Sequence, residues 1–486
     1  MVLPPPSRPE SSIAEWKPKL KGYPHFDAML TPSEGIALAT DLQRVRRHAF
    51  FPFIRYRQRW TRFAEKGQAG KVKERPIRYA ARADAFIFSY YRHLLAEAYE
   101  RRLEKRGLSA CVLAYRRIAG EAGGKCNIHF AQDAFLEIRR FGNCCVIALD
   151  ISSFFESLDH ERLKRAWADL LGADRLPADH FKVFEAITSY AVVDRDALYE
   201  RLGYFGVVAT SRKGLPIRGL LRPKNAIPRK VCSNAEFRRA IAGGGGSPTL
   251  VRKNKKPYGI PQGAPISDLL ANLYLLEFDE AVCERAKSVG GTYYRYSDDI
   301  LIVAPIPVAE ATELEGWVQT KIREFGRKLR IKPEKCALFE FQGTGADQTW
   351  TRASGEQGRN GLEYLGFRYD GRRVYLRDST LSAFQRKVVG SAKRAASAAA
   401  KRYPTRTAAD ICSAFNTDGF MQRYGRVEDF EEKAHDVRHW TFWTYVTRAT
   451  HVLGRLGRPI HRQMKGQREF IRVAVEQAIC AAVNRR

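Results

Sequence analysis

The chain has 486 residues, 44% of them hydrophobic, and a formal net charge of +30 at pH 7. That length and apolar content exclude a disordered tail or a small disulfide-stapled module, and they allow two or three subdomains around a shared core. An excess of 83 Lys and Arg over 53 Asp and Glu is larger than solubility needs, so it points to a polyanionic partner, nucleic acid ahead of an anionic membrane.

No apolar run approaches the ~20 residues of a membrane span. The start, Met1-Val-Leu-Pro-Pro-Pro6, lacks the basic and apolar regions of a secretory signal. Nine scattered cysteines, none in Cys-x-x-Cys spacing, fit reduced thiols and a cytoplasmic location. His435 and His439 have helical i, i+4 spacing, but no Cys or His-Glu-x-x-His pattern accompanies them, so they are not read as a zinc site.

Residues 1–60 read as a Pro-rich arm followed by a helix from Thr31 to His48, capped by Thr31 or Ser33. Arg55-Tyr-Arg-Gln-Arg-Trp60 interleaves basic and aromatic side chains. That suits a phosphate backbone with stacked bases, or equally an amphipathic helix with its aromatics in the core. Lys71, Lys73, Arg75, Arg78 and Arg82 surround the strand-like Arg75–Tyr79, a basic hairpin able to close over a nucleotide triphosphate. A long helix follows from Asp84, its cap, to Leu103, with Phe86, Phe88, Tyr91 and Leu95 in the core. Val112–Arg117 reads as a short strand and Asn127–Arg140 as a helix.

Cys144–Leu149 is a continuous apolar run, as a strand buried on both faces should be, and it ends in Asp150. Helices are expected from Asp159 to Leu171, stopped by Gly172, and over 177–192. Residues 210–258 are dense in Arg and Lys around a tetraglycine, Gly243–Gly246, and read as a mobile insertion facing nucleic acid. The Gly- and Pro-rich turn Gly259–Ser267 opens a helix through Leu276, whose first N–H groups favour phosphate.

Tyr293–Val303 reads as a β-hairpin with Ser297-Asp298-Asp299 at its tip. Asp is common in turns for backbone reasons alone. Two adjacent carboxylates, however, repel unless a cation neutralises them, and Mg²⁺ favours such oxygens and shares them with substrate phosphates. An Asp closing a buried strand is costly unless paired, protonated or metal-bound. If Asp150 lies beside the hairpin, the three carboxylates could hold two Mg²⁺ ions about 4 Å apart, an arrangement suited to nucleotidyl transfer. Beyond it come a helix over Glu310–Leu329, Ile331–Lys335, a strand Cys336–Phe341, a hairpin over Glu363–Arg377, and basic helices from Ser379 onward.

Asp150 with Phe154-Phe155, Pro261-Gln-Gly, Tyr296-Ser-Asp-Asp299, Lys335 and Tyr364-Leu-Gly-Phe367, in this order, resemble reverse transcriptases. The closest likeness is to bacterial enzymes of the group II intron and retron lineage, within it to the defence-associated, abortive-infection-like enzymes. The resemblance implies an α+β right-hand polymerase: fingers and an antiparallel palm sheet over 61–376, interrupted by the basic insertion 210–258, then a mostly helical thumb or RNA-binding domain over 377–486. It implies that Asp150, Asp298 and Asp299 serve two Mg²⁺ ions, with Mn²⁺ able to substitute and the Ile151 carbonyl a further ligand. Phe155 would block a ribose 2′-hydroxyl, Gln262 would contact the incoming dNTP, and Lys73, Arg75 and Arg78 would meet its triphosphate. Lys335 would protonate pyrophosphate, and Tyr364, Leu365, Gly366 and Phe367 would support the primer end. The implied activity is RNA-directed DNA synthesis on a dedicated structured noncoding RNA in anti-phage defence, off the membrane, with a homo-oligomer left open. Template-independent or protein-primed synthesis, and a maturase-like RNA-binding scaffold, are the alternatives. No His/Asn nuclease pattern or Cys cluster follows Arg377, which speaks against intron-type mobility.

Overall fold

The computed structural model describes residues 16–61, 72–120, 123–211, 214–356, 358, 360–424 and 441–485. Lys71, Arg212, Lys213, His435, His439 and the first fifteen residues of the expected arm lie outside them. Among the described residues no helix is long and apolar enough to cross a membrane.

Thr31 caps a helix, α1 (Pro32–Thr40), through a reciprocal box with Glu34. The expected single helix is two, because Asp41 caps a second, α2 (Leu42–Arg47), by accepting from Gln43 and Arg44. The basic–aromatic stretch is neither a helix nor a loop but a strand, β1 (Phe53–Thr61), antiparallel to β2 (Val72–Tyr79). Its alternation explains the choice: Phe53 enters the main core while Ile54 enters a separate small one.

Helix α3 (Arg82–Lys105) begins after Ala81, and Asp84 is not its cap. Asp84 is buried and accepts from His48 at 2.7 Å and from the Phe51 N–H at 3.0 Å. Phe86, Phe88, Tyr91 and Leu95 are buried as expected. Val112–Arg117 is not a strand; Val112 makes one bridge to Arg295, and Tyr115 at φ 65° turns the chain away. Helix α4 (Asn127–Phe141) then leads into β3 (Cys144–Asp150), followed by α5 (Phe154–Ser157), α6 (His160–Leu170) and α7 (Ala178–Thr188).

The described residues of the basic insertion carry regular structure. Strand β4 (Ala191–Asp194) pairs parallel to β1, and after helix α8 (Arg195–Arg201) a hairpin of β5 (Phe205–Thr210) and β6 (Pro216–Leu220) projects outward. The chain returns as β7 (Arg252–Lys253), antiparallel to β4, which completes a four-stranded sheet of order β2-β1-β4-β7. Ile227, Val231, Cys232 and Ile241 from the insertion bury against Phe26, Ile54 and Val193, and this apolar burial holds the segment in place. His25 fastens the preceding arm there: its Nδ1 accepts the Phe26 N–H, its Nε2 meets the Tyr79 carbonyl, and its backbone bridges Lys230.

Helices α9 (Ser267–Tyr274) and α10 (Leu276–Ser288) precede the hairpin of β8 (Thr292–Tyr296) and β9 (Asp299–Ala304). Then follow α11 (Val308–Glu324), β10 (Ala337–Gln342) and β11 (Thr349–Gly355). The five-stranded sheet has order β8-β9-β3-β10-β11, every pair antiparallel. It is buried on both faces: Cys145, Ile147 and Leu149 face the core beneath the first helices, while Cys144 and Val146 face a second core. That second core is closed by the small sheet β12 (Leu362–Tyr364), β13 (Phe367–Tyr369) and β14 (Val374–Leu376), and by the C-terminal helices, of which α12 (Asp378–Arg402) is the longest. The architecture is α+β.

Candidate active site

The register of the large sheet decides where the carboxylates meet. Asp150, last in β3, is the direct cross-strand partner of Asp299, first in β9. Partners of this kind stand on one face with Cβ atoms about 4.5–5.5 Å apart, and two like charges so placed repel. Asp298 occupies the turn between β8 and β9, where Ser297 sits at φ 62°, and its carbonyl accepts the Ile151 N–H at 2.8 Å. All three carboxylates are half-buried. The Ile151 side chain is fully buried, anchoring this strand end.

Among the described residues no three His, Cys, Asp or Glu side chains already surround one point in the manner of a formed metal site. The donor chemistry nonetheless suits Mg²⁺. Two opposed carboxylates with a third on the adjoining turn supply the hard oxygen donors that Mg²⁺ prefers, and Mg²⁺ completes its shell with water and substrate phosphate.

What fixes the turn is Arg295, a residue that the motif reading passed over. It is fully buried, ion-paired with Asp279 of α10, and its Nη1 donates to Asn272 Oδ1 and to the Ser297 carbonyl, each at 3.1 Å. Asn272 in turn donates to the Ala114 carbonyl. Tyr293 donates to Asp279 at 2.7 Å. Burial pushes the Asp279 carboxyl above its ordinary value, and the guanidinium opposes that shift. From the open side, the Tyr115 hydroxyl lies 3.0 Å from Ser297 Oγ. A sequence signal existed: Arg295 falls on the inward phase of a strand between Tyr293 and the turn, where a charge demands a partner.

A second wall comes from α5 and the turn before α9. Phe155 is buried beside Phe154, and its carbonyl accepts the Ile260 N–H at 2.8 Å. The Gln262 carbonyl accepts the Arg78 N–H at 2.9 Å, so the Pro261-Gln-Gly turn docks directly on β2. Gly263 permits this approach: it sits at φ +116°, and a Cβ there would lie 2.4 Å from the Arg78 carbonyl oxygen. Arg78 is buried, pairs with Glu156 at 2.9 Å through Nη2, and leaves Nε and Nη1 without a hydrogen-bond partner.

Arg78 and Arg75 do not share a face. Alternation along β2 puts Arg75, opposite Gln58, on the other side, where it is exposed. The Lys73 and Lys335 side chains lie outside the described residues; Lys335 belongs to a short turn, Pro333–Lys335.

Tyr364, Leu365, Gly366 and Phe367 form the two-residue turn joining β12 to β13, with Leu365 at φ 47° and Gly366 at φ 93°. Burial first, and Asp299 next, hold the Tyr364 hydroxyl well above its ordinary pKa. Asn127 grips the Leu365 carbonyl at 3.1 Å and the Tyr445 hydroxyl at 3.0 Å, tying turn, α4 and the C-terminal helices together.

Residues 246–369 match the family described as reverse transcriptase (RNA-dependent DNA polymerase). The matched segment holds Gln262, Asp298, Asp299 and the Tyr364–Phe367 turn; Asp150 and Phe155 precede it, and the sheet register joins them to it. Over 88 residues the chain is 35% identical to the retron Mx162 reverse transcriptase of Myxococcus xanthus, a stretch covering 18% of each protein. Among solved structures, apo telomerase from Candida tropicalis is similar at a TM-score of 0.35 and 12% identity, over 97% of this chain and 72% of that one. Candida albicans telomerase in complex with a TWJ fragment of telomeric RNA gives 0.35 and 11%, over 90% and 65%.

Proposed function

We propose that this chain is an RNA-directed DNA polymerase that copies an associated structured RNA, acting in bacterial anti-phage defence. The observation that carries the polymerase reading is the direct opposition of Asp150 and Asp299 with Asp298 on the adjoining turn. Asp150, Asp298 and Asp299 would hold two Mg²⁺ ions, which when bound polarise a 3′-hydroxyl and neutralise charge on the departing pyrophosphate. Residues 61–376 would serve as fingers and palm, and 377–486 as a thumb that grips RNA.

Around that centre the chain's own groups bind and orient. Arg78 offers two unused guanidinium nitrogens to an anionic ligand, and Glu156 holds its third. Gln262, fixed to β2 through its backbone, keeps its side chain for the nucleotide base or sugar. Phe155 presents a bulky ring where a 2′-hydroxyl would have to sit, favouring dNTP. The Tyr364–Phe367 turn supports the primer end next to Asp299. The +30 charge suits a polyanionic template, while the defence role rests on the resemblance of the motif set.

The test is to purify the protein with its bound nucleic acid, sequence that nucleic acid, and supply Mg²⁺ and labelled dNTPs with and without RNase pretreatment. One abundant RNA, and an RNase-sensitive DNA product complementary to it, are expected. Asp298→Ala abolishes synthesis while RNA remains bound. DNA made equally well after RNase shifts the reading to untemplated or protein-primed synthesis, and RNA binding without any product shifts it to a scaffold.

A further inference from the structure

Ser297 and Tyr115 both hold left-handed backbone, and their side chains meet. Ser297, in the turn that carries Asp298, has φ 62°, and Tyr115 has φ 65°. The Tyr115 hydroxyl lies 3.0 Å from Ser297 Oγ. A bulky residue rarely adopts that conformation, which costs about 1–3 kcal/mol and persists only where the surroundings fix it.

Here they fix it from several sides. Asn272 Nδ2 donates to the Ala114 carbonyl at 2.8 Å, Arg92 Nη2 donates to the Tyr115 carbonyl at 2.9 Å, and Arg116 pairs with Glu100. Arg92 is itself held by both oxygens of Asp268, near the start of α9. Upstream, the Arg295 N–H donates to the Cys111 carbonyl at 2.8 Å and the Leu113 N–H to the Arg295 carbonyl at 2.9 Å. The segment from Cys111 to Arg116 is thereby clamped alongside β8 up to its tip.

These bonds close a circuit through the turn. Arg295 Nη1 donates to the Ser297 carbonyl and to Asn272 Oδ1, Asn272 fixes Ala114, the chain passes to Tyr115, and the Tyr115 hydroxyl returns to Ser297 Oγ. Arg295, Asn272 and Ala114 are fully buried and Ser297 is 4% exposed, whereas Tyr115 is 40% exposed. Core packing therefore does not account for a strained tyrosine at this point. What the conformation achieves is the hydroxyl contact.

We propose, on the polymerase reading above, that Tyr115 is a positioning residue, acting through Ser297 to hold Asp298 in the geometry its cation requires. Arg295 holds the backbone of the turn from the buried side, and Tyr115 holds the Ser297 side chain from the open side. Without the second contact Ser297 is free to leave the left-handed region, and the direction of Asp298, the next residue, changes with it.

Tyr115→Phe removes only the hydroxyl, and Ser297→Ala only its partner. Mn²⁺ binding to nuclease-treated protein, followed by the electron paramagnetic resonance of the free ion, reads the carboxylates without turnover, with Asp298→Ala as the reference for a lost site. Incorporation of dTTP on oligo(dT)-primed poly(rA) reads kcat and KM separately. Each single variant should lower Mn²⁺ affinity and kcat by about tenfold, with the KM for dTTP and the melting temperature nearly unchanged. The double variant should be no worse than either single one, because both remove the same contact. Unaltered Mn²⁺ affinity and kcat in Tyr115→Phe overturn the proposal, as do losses that add in the double variant, or a loss confined to the KM for the primer–template. If the unsubstituted chain binds Mn²⁺ no tighter than Asp298→Ala does, the carboxylate site and the role of Tyr115 fall together. If it makes no DNA while Tyr115→Phe still weakens Mn²⁺ binding, the polymerase reading fails and the positioning role stands.

Discussion

Arg295 and Asp279 meet through two contacts of 2.6 Å with neither side chain exposed, and the nitrogen left over holds the turn that carries Asp298. The pair therefore links helix α10 to the hairpin tip. Burial alone would lower the guanidinium's pKa, and the facing carboxylate more than reverses this. Arg295→Met leaves Asp279 buried and unpaired, and should cost about 3–5 kcal/mol of stability, read by urea unfolding. Arg295→Lys keeps the charge but cannot hold Asp279, Asn272 and Ser297 together. Synthesis should fall by about a hundredfold, with a weaker apparent Mg²⁺ affinity, while RNA binding is retained.

Phe155 is buried on α5, and its carbonyl holds the Ile260 N–H. Phe155→Ala should lower the preference for dNTP over NTP by about tenfold or more, measured as the ratio of the two kcat/KM values. An unchanged ratio removes Phe155 from sugar selection.

Gly263 touches the β2 backbone so closely that a methyl group has no room. Gly263→Ala should push the Pro261-Gln-Gly turn off Arg78, raising the KM for dNTP with little change in RNA affinity. The strained backbone adds about 1–3 kcal/mol of destabilisation, visible as a lower melting temperature.

His25 supplies a pH dependence remote from the carboxylates. Burial first, with Arg82 assisting against the helping Tyr79 carbonyl, lowers its pKa to about 3. The unfolded chain then binds a proton that the folded chain refuses between the ordinary value of 6.5 and about 3. Stability accordingly falls as pH drops through that window, by about 1.4 kcal/mol per unit below 6.5. Urea unfolding at pH 7.5 and 5.5 should show the loss, and His25→Asn should flatten that part of it.

The parts of this molecule that were legible in sequence are those where local pattern and burial agree. The run before Asp150 and the hairpin around Asp298 each carry their own strand and turn chemistry, whereas Glu363–Asp370, expected as one arm of a hairpin, is broken by the Leu365–Gly366 turn into β12 and β13. Asp84 misled because an Asp near a helix start is usually its cap, whereas here a tertiary partner, His48, claimed it. Arg55–Trp60 was ambiguous because basic–aromatic spacing fits two periods, and only the two separate cores on either side of β1 decide between them. The insertion was missed as a fold because its apolar residues are few and find their partners, Phe26 and Ile54, some two hundred positions away. Strand β11, polar and mostly exposed, exists because it completes the edge of a sheet whose other strands are buried.

Pairing of β4 with β7 means that the chain leaves and re-enters the four-stranded sheet at neighbouring points, Val192 beside Arg252 and Ala191 beside Lys253. Everything between them is therefore an appendage on a closed neck. Lengthening or shortening it costs only the slow logarithmic entropy of a loop whose ends are already joined. The distance between Asp150 and Asp298 is set by β3 and β9, and no residue of the appendage lies on that path. Its size and surface can thus be re-specified independently of the carboxylate geometry, provided that whatever replaces it still covers Ile54 and Phe26 and keeps the backbone at Arg229–Val231 that pairs with His25 and accepts from Arg82.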